Sequence, residues 1–159
     1  MSELPSTLRG VLIQAAGSQL LLPNAAVAEV LSYSDPEPIA DAPSWLLGRV
    51  RWRGWQVPLV DFSRLDGGGT ESQAAPGGRR RVLVVKAPGG HARLPYFAFL
   101  ADGFPRLMSL SEATLETLAE SSEPESCIFA RVAINDENAV VPDMDAVESR
   151  LRSELPEAA

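Results

Sequence analysis

The sequence predicts a mainly β protein, built as small barrels or a sandwich from roughly eight to ten short strands and two helices. The 13 prolines and 12 glycines among 159 residues exceed the usual combined share of roughly 12%, which favours many short elements joined by turns. The apolar runs have the length of strands, and none approaches the ~18–20 residues that span a bilayer. We therefore expect a cytoplasmic protein.

The first strands are expected to form a hairpin. Apolar runs at residues 11–13 and 20–22 flank a turn that contains Gly17. Residues 27–33 follow as a strand, although a helix over residues 25–31 is the alternative because Ala, Val and Glu fit both periods. Three prolines within residues 35–43 then predict an extended connector.

A strict alternation of polar and apolar residues predicts the next two strands. The alternating residues are Arg49, Val50, Arg51, Trp52 and Arg53, followed after a break at Gly54 by Trp55, Val57 and Leu59. Pro58 cannot donate to a strand ladder, so we expect this region to lie at a sheet edge or a bulge.

The remaining elements are read from apolar runs and turn residues. Strands are predicted at residues 82–85, 96–101, 127–134 and 139–141, and helices at 111–120 and 143–155. Asp143 is the expected N-cap of the last helix, whose apolar residues have helical spacing. Residues 66–81 lack core-forming side chains and predict a flexible loop, and residues 156–159 predict a disordered tail.

Charge and residue counts argue against several functions. A net charge of −7 is unfavourable for binding nucleic acid. His91 lies in a glycine-rich turn without a partner nucleophile, and Cys127 begins an apolar strand where a buried thiol is usual. With one histidine, one cysteine and scattered carboxylates, we expect neither an enzyme nor a bound metal or cofactor.

The three tryptophans are the most informative residues. Trp45, Trp52 and Trp55 lie within eleven residues and are interleaved with arginines, which favours a protein-interaction surface over stacking on nucleic-acid bases. For Trp52 a place in the core is an equally good interpretation.

Three segments of the first half of the sequence follow one another in a specific order. They are Leu22-Pro23 with Val27-Ala28-Glu29-Val30, then Ala42-Pro43-Ser44-Trp45-Leu46-Leu47-Gly48-Arg49-Val50, and then Arg53-Gly54-Trp55-Gln56-Val57-Pro58-Leu59-Val60-Asp61. Together these segments resemble the CheW family, the coupling proteins of bacterial chemosensory arrays. Residues 100–104 and 140–145 are similar to later family segments more loosely. Arg51 stands where the family usually has Asn, and Ala98 where it commonly has glycine.

The resemblance implies a single CheW-like domain over residues 1–159, made of two small packed SH3-like five-stranded β-barrels with short helices. It implies a non-enzymatic adaptor without cofactors that bridges the regulatory domain of a CheA-type histidine kinase to the cytoplasmic tips of methyl-accepting chemoreceptors. Such an adaptor is cytoplasmic, associates with membrane-bound receptor arrays and does not insert into the membrane. The departure at Arg51 fits a divergent paralogue of a pilus-type system that controls twitching as well as a flagellar one.

The resemblance also supplies the candidate site. Glu29 and Arg53 match the acidic and basic positions of the family, and we expect them to pair and brace the first barrel beside the receptor groove. The predicted protein-binding residues are Glu29, Trp45, Arg51, Arg53, Gly54, Trp55 and Asp61. The alternative is a small-molecule binding module whose barrel mouth is lined by Trp45, Trp55 and Phe62.

Overall fold

The computed structural model describes residues 8–15, 18–65, 80–111, 115–120 and 127–155, and strands dominate them, as predicted. The strands are β1 (Leu8–Ala15), β2 (Ser18–Pro23), β3 (Val27–Ser32), β4 (Leu46–Trp52), β5 (Trp55–Val60), β6 (Arg80–Lys86), β7 (Tyr96–Leu110), β8 (Leu115–Glu120), β9 (Ile128–Ile134) and β10 (Glu137–Pro142). The helices are α1 (Phe62–Leu65) and α2 (Met144–Glu154), with a 3₁₀ turn at Asn24–Ala26.

The long strand β7 joins two halves of one sheet. The first half contains β3, β4, β5 and β6, and the other half contains β1, β2, β8, β9 and β10. The strand order is β3-β6-β7-β1-β2-β10-β9-β8, and β5 adds the β4–β5 hairpin to β7 in parallel. Residues 96–102 of β7 pair with β6, whereas residues 102–110 pair with β1. The pairings among the described residues do not close either half into a barrel.

A bulge separates the two parts of β7. Leu12 pairs with Arg106 but Gln14 pairs with Asp102, so β7 carries two extra residues at this point. Gly103 has a φ of +77°, which is in the left-handed region that suits glycine. The prediction that this strand ends at Ala101 was therefore wrong, because Asp102 and Gly103 bend the strand without ending it.

The hairpins follow the predicted pattern. β1 pairs with β2, and β3 is a strand rather than the alternative helix. The β9–β10 turn is made by Asn135 and Asp136, with φ of +48° and +70°. Positive φ at both central residues matches the twist of the flanking strands, and Asn and Asp tolerate it well.

The helix predicted over residues 111–120 was wrong. Residues 115–120 form strand β8, which pairs antiparallel with β9. Leu115 packs against the core of this half, whereas Leu118 is 50% exposed, although an amphipathic helix would bury both. Backbone pairing with β9 outweighs the weak local helix preference, as tertiary contacts often do over short segments.

The predicted loop over residues 66–81 is shorter at its C-terminal end. Arg80 and Arg81 belong to β6, where their guanidinium groups stack on Tyr33 and Phe104 at 5.2 Å and 4.4 Å. Arginine side chains can pack on aromatic rings while they keep their charge, so these two residues belong to the sheet although they are not core-forming residues. The rest of the loop and the tail at residues 156–159 lie outside the described residues.

Helix α2 packs against the larger cluster of buried apolar residues, which we call the main core. The Asp143 side chain caps it by accepting a hydrogen bond from the Ala146 amide at 3.0 Å, as predicted. Val147 and Leu151 are fully buried in a cluster that includes residues of β2, β6 and β7. Cys127 is buried in the same cluster, which confirms its expected place as a small apolar side chain.

The connector over residues 35–43 is attached to β4 by one bridge. Glu37 and Arg49 exchange two backbone hydrogen bonds of 2.8 Å and 2.9 Å. Gly48 lies directly under this bridge with a φ of +145°, and a Cβ there would clash with the Glu37 carbonyl oxygen. The close approach requires glycine.

Gly48→Ala is expected to lower the free energy of unfolding by about 2 kcal/mol or more, because the new methyl group forces the connector away from β4. Urea denaturation measures the loss. Gly90→Ala is a control for an added methyl group without a clash, since nothing lies within 4 Å of the added Cβ, although its φ of +69° is less restrictive than that of Gly48. Equal losses in the two variants would show that backbone strain, rather than the clash with Glu37, makes Gly48 necessary.

Candidate protein-binding surface

The β4–β5 turn holds the predicted ion pair. Arg53 and Gly54 form this turn with φ of +49° and +80°, the geometry that a two-residue hairpin needs. Arg53 Nη2 lies 2.9 Å from Glu29 Oε1 on β3, so the expected pairing is confirmed. The Arg53 side chain is 70% exposed, and exposed pairs contribute about 0–1 kcal/mol to stability. The pair therefore orients the turn more than it stabilises the fold.

Aromatic rings surround this pair. Trp52 is buried and meets Tyr96 edge-to-face with ring centroids 4.8 Å apart, so its place is in the core. The Arg53 guanidinium lies 5.1 Å from the Trp52 ring, within the range of a cation–π contact. Trp55 is 42% exposed, and its ring centroid is 6.3 Å from that of Tyr96.

We call Trp55, Tyr96 and the flanking cations Arg53 and Lys86 the aromatic platform. Lys86 is exposed and lies directly opposite Tyr96 in the β6–β7 ladder, on the same side of the sheet. The platform thus combines one hairpin tip with the ends of two other strands. Tryptophan, tyrosine and arginine are enriched at protein interfaces, whereas lysine is depleted there.

Arg51 lies on the opposite face of the hairpin. It pairs with Gln56 in the ladder, whereas Trp52 pairs with Trp55, and successive residues of a strand point to opposite faces. Both Arg51 and Gln56 are exposed. The structure therefore separates Arg51 from the aromatic platform, although Arg51, Arg53 and Trp55 were predicted as one set of protein-binding residues.

Trp45 and Asp61 lie at the other end of the β4–β5 hairpin from its turn, where the Asp61 amide donates a hydrogen bond of 2.8 Å to the Trp45 carbonyl. Trp45 is buried, and the Arg150 guanidinium of α2 lies 5.5 Å from its ring. Asp61 is buried, and its Oδ1 accepts hydrogen bonds from the Ser63 amide and hydroxyl at 3.1 Å and 2.6 Å. Arg64 Nε lies 3.4 Å from Asp61 Oδ2 as an ion pair without hydrogen-bond geometry. Both predicted residues thus shape the first half without reaching its surface.

The residues of the small-molecule alternative are not brought together. Trp45 and Phe62 are packed in the main core. Trp55 instead contacts Tyr96, which packs against a second, smaller cluster of buried residues around Trp52. A separate cleft of about 440 Å³ lies in the other half of the sheet. Its lining includes Gln14, Gln19 and Asn138, and none of the three predicted aromatic residues.

Tyr96 and Lys86 were missed by the sequence analysis. They lie ten residues apart at the ends of two predicted strands, and only the β6–β7 pairing places them side by side. The available signal was the Pro88-Gly89-Gly90 turn between those strands, because an antiparallel pairing across it brings together the strand ends that adjoin the turn.

The part of the chain that the structure describes contains neither a metal-binding cluster nor a membrane-spanning helix. Within the described ranges, no three His, Cys, Asp or Glu side chains are close enough to hold a metal ion. None of the helices that the structure describes has the length and apolar character needed to cross a membrane.

The fold and the surface define a small mainly β domain whose candidate binding residues lie on a hairpin rather than in a cleft. The family model of the CheW-like domain matches residues 9–151, so the chain belongs to the CheW-like family. The crystal structure of the scaffolding protein TtCheW from Thermoanaerobacter tengcongensis is similar to it, with a TM-score of 0.68 and 16% sequence identity. The similarity covers 89% of this chain and 88% of the other. No curated protein matches the chain.

Proposed function

We propose that this chain is a non-enzymatic adaptor that couples the cytoplasmic tips of chemoreceptors to the regulatory domain of a CheA-type histidine kinase. The observation that carries the proposal is the family match over residues 9–151, which includes nearly all strands and most of α2. An adaptor of this kind acts in the cytoplasm at membrane-bound receptor arrays, in a flagellar or a pilus-type system.

The surface supports this proposal in two ways. The exposed Glu29–Arg53 pair and Trp55 are clustered at one end of the first half, where a partner can reach them. Arg51 adds a second, separate contact point on the other face of the same hairpin. One small hairpin can thus present different side chains to two partners, which is what an adaptor requires.

The proposal is tested by reconstitution. The purified full chain is mixed with the kinase regulatory domain and with a receptor-tip fragment, both encoded by the same genome. Size-exclusion chromatography with light scattering is expected to show a complex with each partner and a ternary complex with both. A chain that binds neither partner at physiological salt contradicts the proposal.

A small-molecule binding role predicts a different result. Titration with metabolites would change tryptophan fluorescence, whereas addition of the kinase regulatory domain would not. The separation of Trp45 and Phe62 from Trp55 gives no structural support to that role.

A further inference from the structure

The cleft in the other half of the sheet lies at the junction of strands β2 and β10. Among the described residues, the parallel pairing of these strands is confined to Val140 and Leu20, whereas the β1–β2 and β9–β10 hairpins are paired along their length. The next partners along this ladder would be Ala139 and Gln19, and both line the cleft instead. We call this space the seam cleft. Its volume of about 440 Å³ is within the range of small-molecule sites.

A side-chain network holds one residue of the lining across this junction. Arg106 Nη2 donates hydrogen bonds to Gln19 Oε1 at 3.2 Å and to the Glu137 carboxylate at 3.1 Å. Gln19 Nε2 in turn donates to the Asn138 carbonyl oxygen at 3.4 Å. The Gln19 side chain is therefore fixed between β2 and β10, and Glu137 balances the charge of Arg106.

Other polar groups of the lining can both donate and accept hydrogen bonds. The lining includes Gln14, Ser18 and Asn138. A side-chain amide offers two N–H donors and a carbonyl acceptor, and a hydroxyl offers one donor and two lone pairs. In the part of the chain that the structure describes, neither the Asn138 side-chain amide nor the Ser18 hydroxyl has an intramolecular hydrogen bond. These groups match a ligand that carries both N–H and C=O, as an amide does.

Arg131 gives the seam cleft a positive charge. It is the one charged residue among the described residues of the lining, although the whole chain has a net charge of −7. Arg131 is exposed and lies directly opposite Val140 in the β9–β10 ladder. It also makes another contact within the chain, but the five N–H donors of a guanidinium group are not used up by one contact. Since guanidinium groups form charge-assisted hydrogen bonds with carboxylates, the lining favours an anionic ligand.

The apolar part of the lining is aliphatic. Val132, Ala139 and Val140 are buried, whereas Leu118 is 50% exposed. The described residues of the lining include no aromatic ring on which a planar ligand could stack. A short aliphatic group of a ligand would instead cover Leu118 and remove apolar surface from water.

We infer that the seam cleft binds a small carboxylate that also carries amide groups and short aliphatic side chains, which is the chemistry of an N-acylated amino acid or a short peptide. Arg131 would bind the carboxylate, and Ser18 and Asn138 would bind the amide. This site differs from the small-molecule site expected from the sequence, which required three aromatic residues. It is independent of the proposed adaptor function.

Titration of the full chain with N-acetyl-alanyl-alanine tests the ligand class. Heteronuclear NMR is expected to show saturable shifts of the Ser18, Gln19 and Asn138 amide signals, with a Kd of about 1 mM for a ligand of this size. The same dipeptide with a C-terminal amide has nearly the same shape but no charge. It is expected to bind about 10-fold more weakly, because a charge-assisted hydrogen bond is lost.

Two variants locate the binding within the seam cleft. Arg131→Gln removes the charge and Asn138→Ala removes the amide, and each is expected to weaken binding of N-acetyl-alanyl-alanine by about 5-fold or more. The matched controls Arg51→Gln and Gln56→Ala change exposed residues of the β4–β5 hairpin and are expected to bind as the wild type does. Circular dichroism melting shows whether each variant is folded. Asn138→Ala decides the test if Arg131→Gln does not fold, because the Asn138 side chain is exposed.

The outcomes are distinct from those of the reconstitution experiment. The absence of saturable shifts at about 10 mM dipeptide overturns the inference. Equal binding of the amidated dipeptide overturns the assignment to a carboxylate. Unchanged binding in the folded variants places the ligand outside the seam cleft and overturns the site. Each of these results leaves the adaptor proposal standing, since that proposal depends on complexes with the kinase and receptor fragments.

Discussion

Arg53→Glu is expected to abolish or greatly weaken incorporation of the chain into receptor–kinase assemblies, by about 10-fold or more, while its fold and melting temperature remain close to those of the wild type. The reversed side chain would face Glu29, whose Oε1 now lies 2.9 Å from Arg53 Nη2, and would repel an acidic partner. The fold should tolerate the change, because the ion pair is exposed and both Arg and Glu carry the same Cβ at the positive φ of this turn. Co-sedimentation with kinase and receptor fragments measures the loss.

A charge swap separates two explanations of this loss. Glu29→Arg combined with Arg53→Glu restores an internal ion pair of opposite polarity. Recovery of binding in the double variant would show that the pair acts by bracing the turn, whereas continued loss would show that the Arg53 charge contacts the partner. Unchanged co-sedimentation of Arg53→Glu at physiological salt would remove Arg53 from the site, and unfolding of the variant would assign it a structural role.

Local patterns were sufficient to predict most of the strands. The alternation over residues 49–52 predicted β4 because one face of this strand is buried and the other is partly or fully exposed, whereas β5 is buried on both faces from Val57 to Val60. The apolar run at residues 82–85 predicted β6 because this strand is covered on both faces by separate core clusters. Both signals depend on burial close to the strand itself.

The errors arose where distant partners decide the structure. Residues 115–120 are a strand because β9 pairs with them, and their own composition contains little information about that partner. Asp102 and Gly103 are typical turn residues, yet β6 and β1 pair with β7 on either side of them and carry the strand through a bulge.

The site was predicted in part for the same reason. Glu29 and Arg53 are 24 positions apart in the sequence, and only the folded positions of β3 and the β4–β5 turn bring them together. Local patterns could not predict this pair, so its prediction came from the family resemblance. Trp45 and Asp61 belong to matching motifs, but motif identity does not distinguish a surface residue from a buried supporting one. Lys86 and Tyr96 became visible only with the register of β6 and β7.

Leu151→Ala is expected to lower the free energy of unfolding by about 2–5 kcal/mol, the usual range for removing a fully buried leucine. Leu151 is completely buried, and its carbonyl accepts a hydrogen bond from the Leu155 amide, which ends α2. A cavity there would loosen the contact between α2 and the main core. The shift of the urea midpoint at constant slope measures the effect.

Two control variants show whether the loss comes from the buried position. Leu118→Ala makes the same chemical change at a half-exposed site on β8, and Ser149→Ala changes an exposed residue of α2 itself. Both are expected to cost less than about 1 kcal/mol. Since Arg150 of the same helix lies over the Trp45 ring and donates a hydrogen bond to the Leu65 carbonyl, a loosened α2 would also free Trp45, which directly precedes β4, and Leu65 at the end of α1. An unchanged midpoint in Leu151→Ala would show that the packing of α2 does not contribute to the stability of the core.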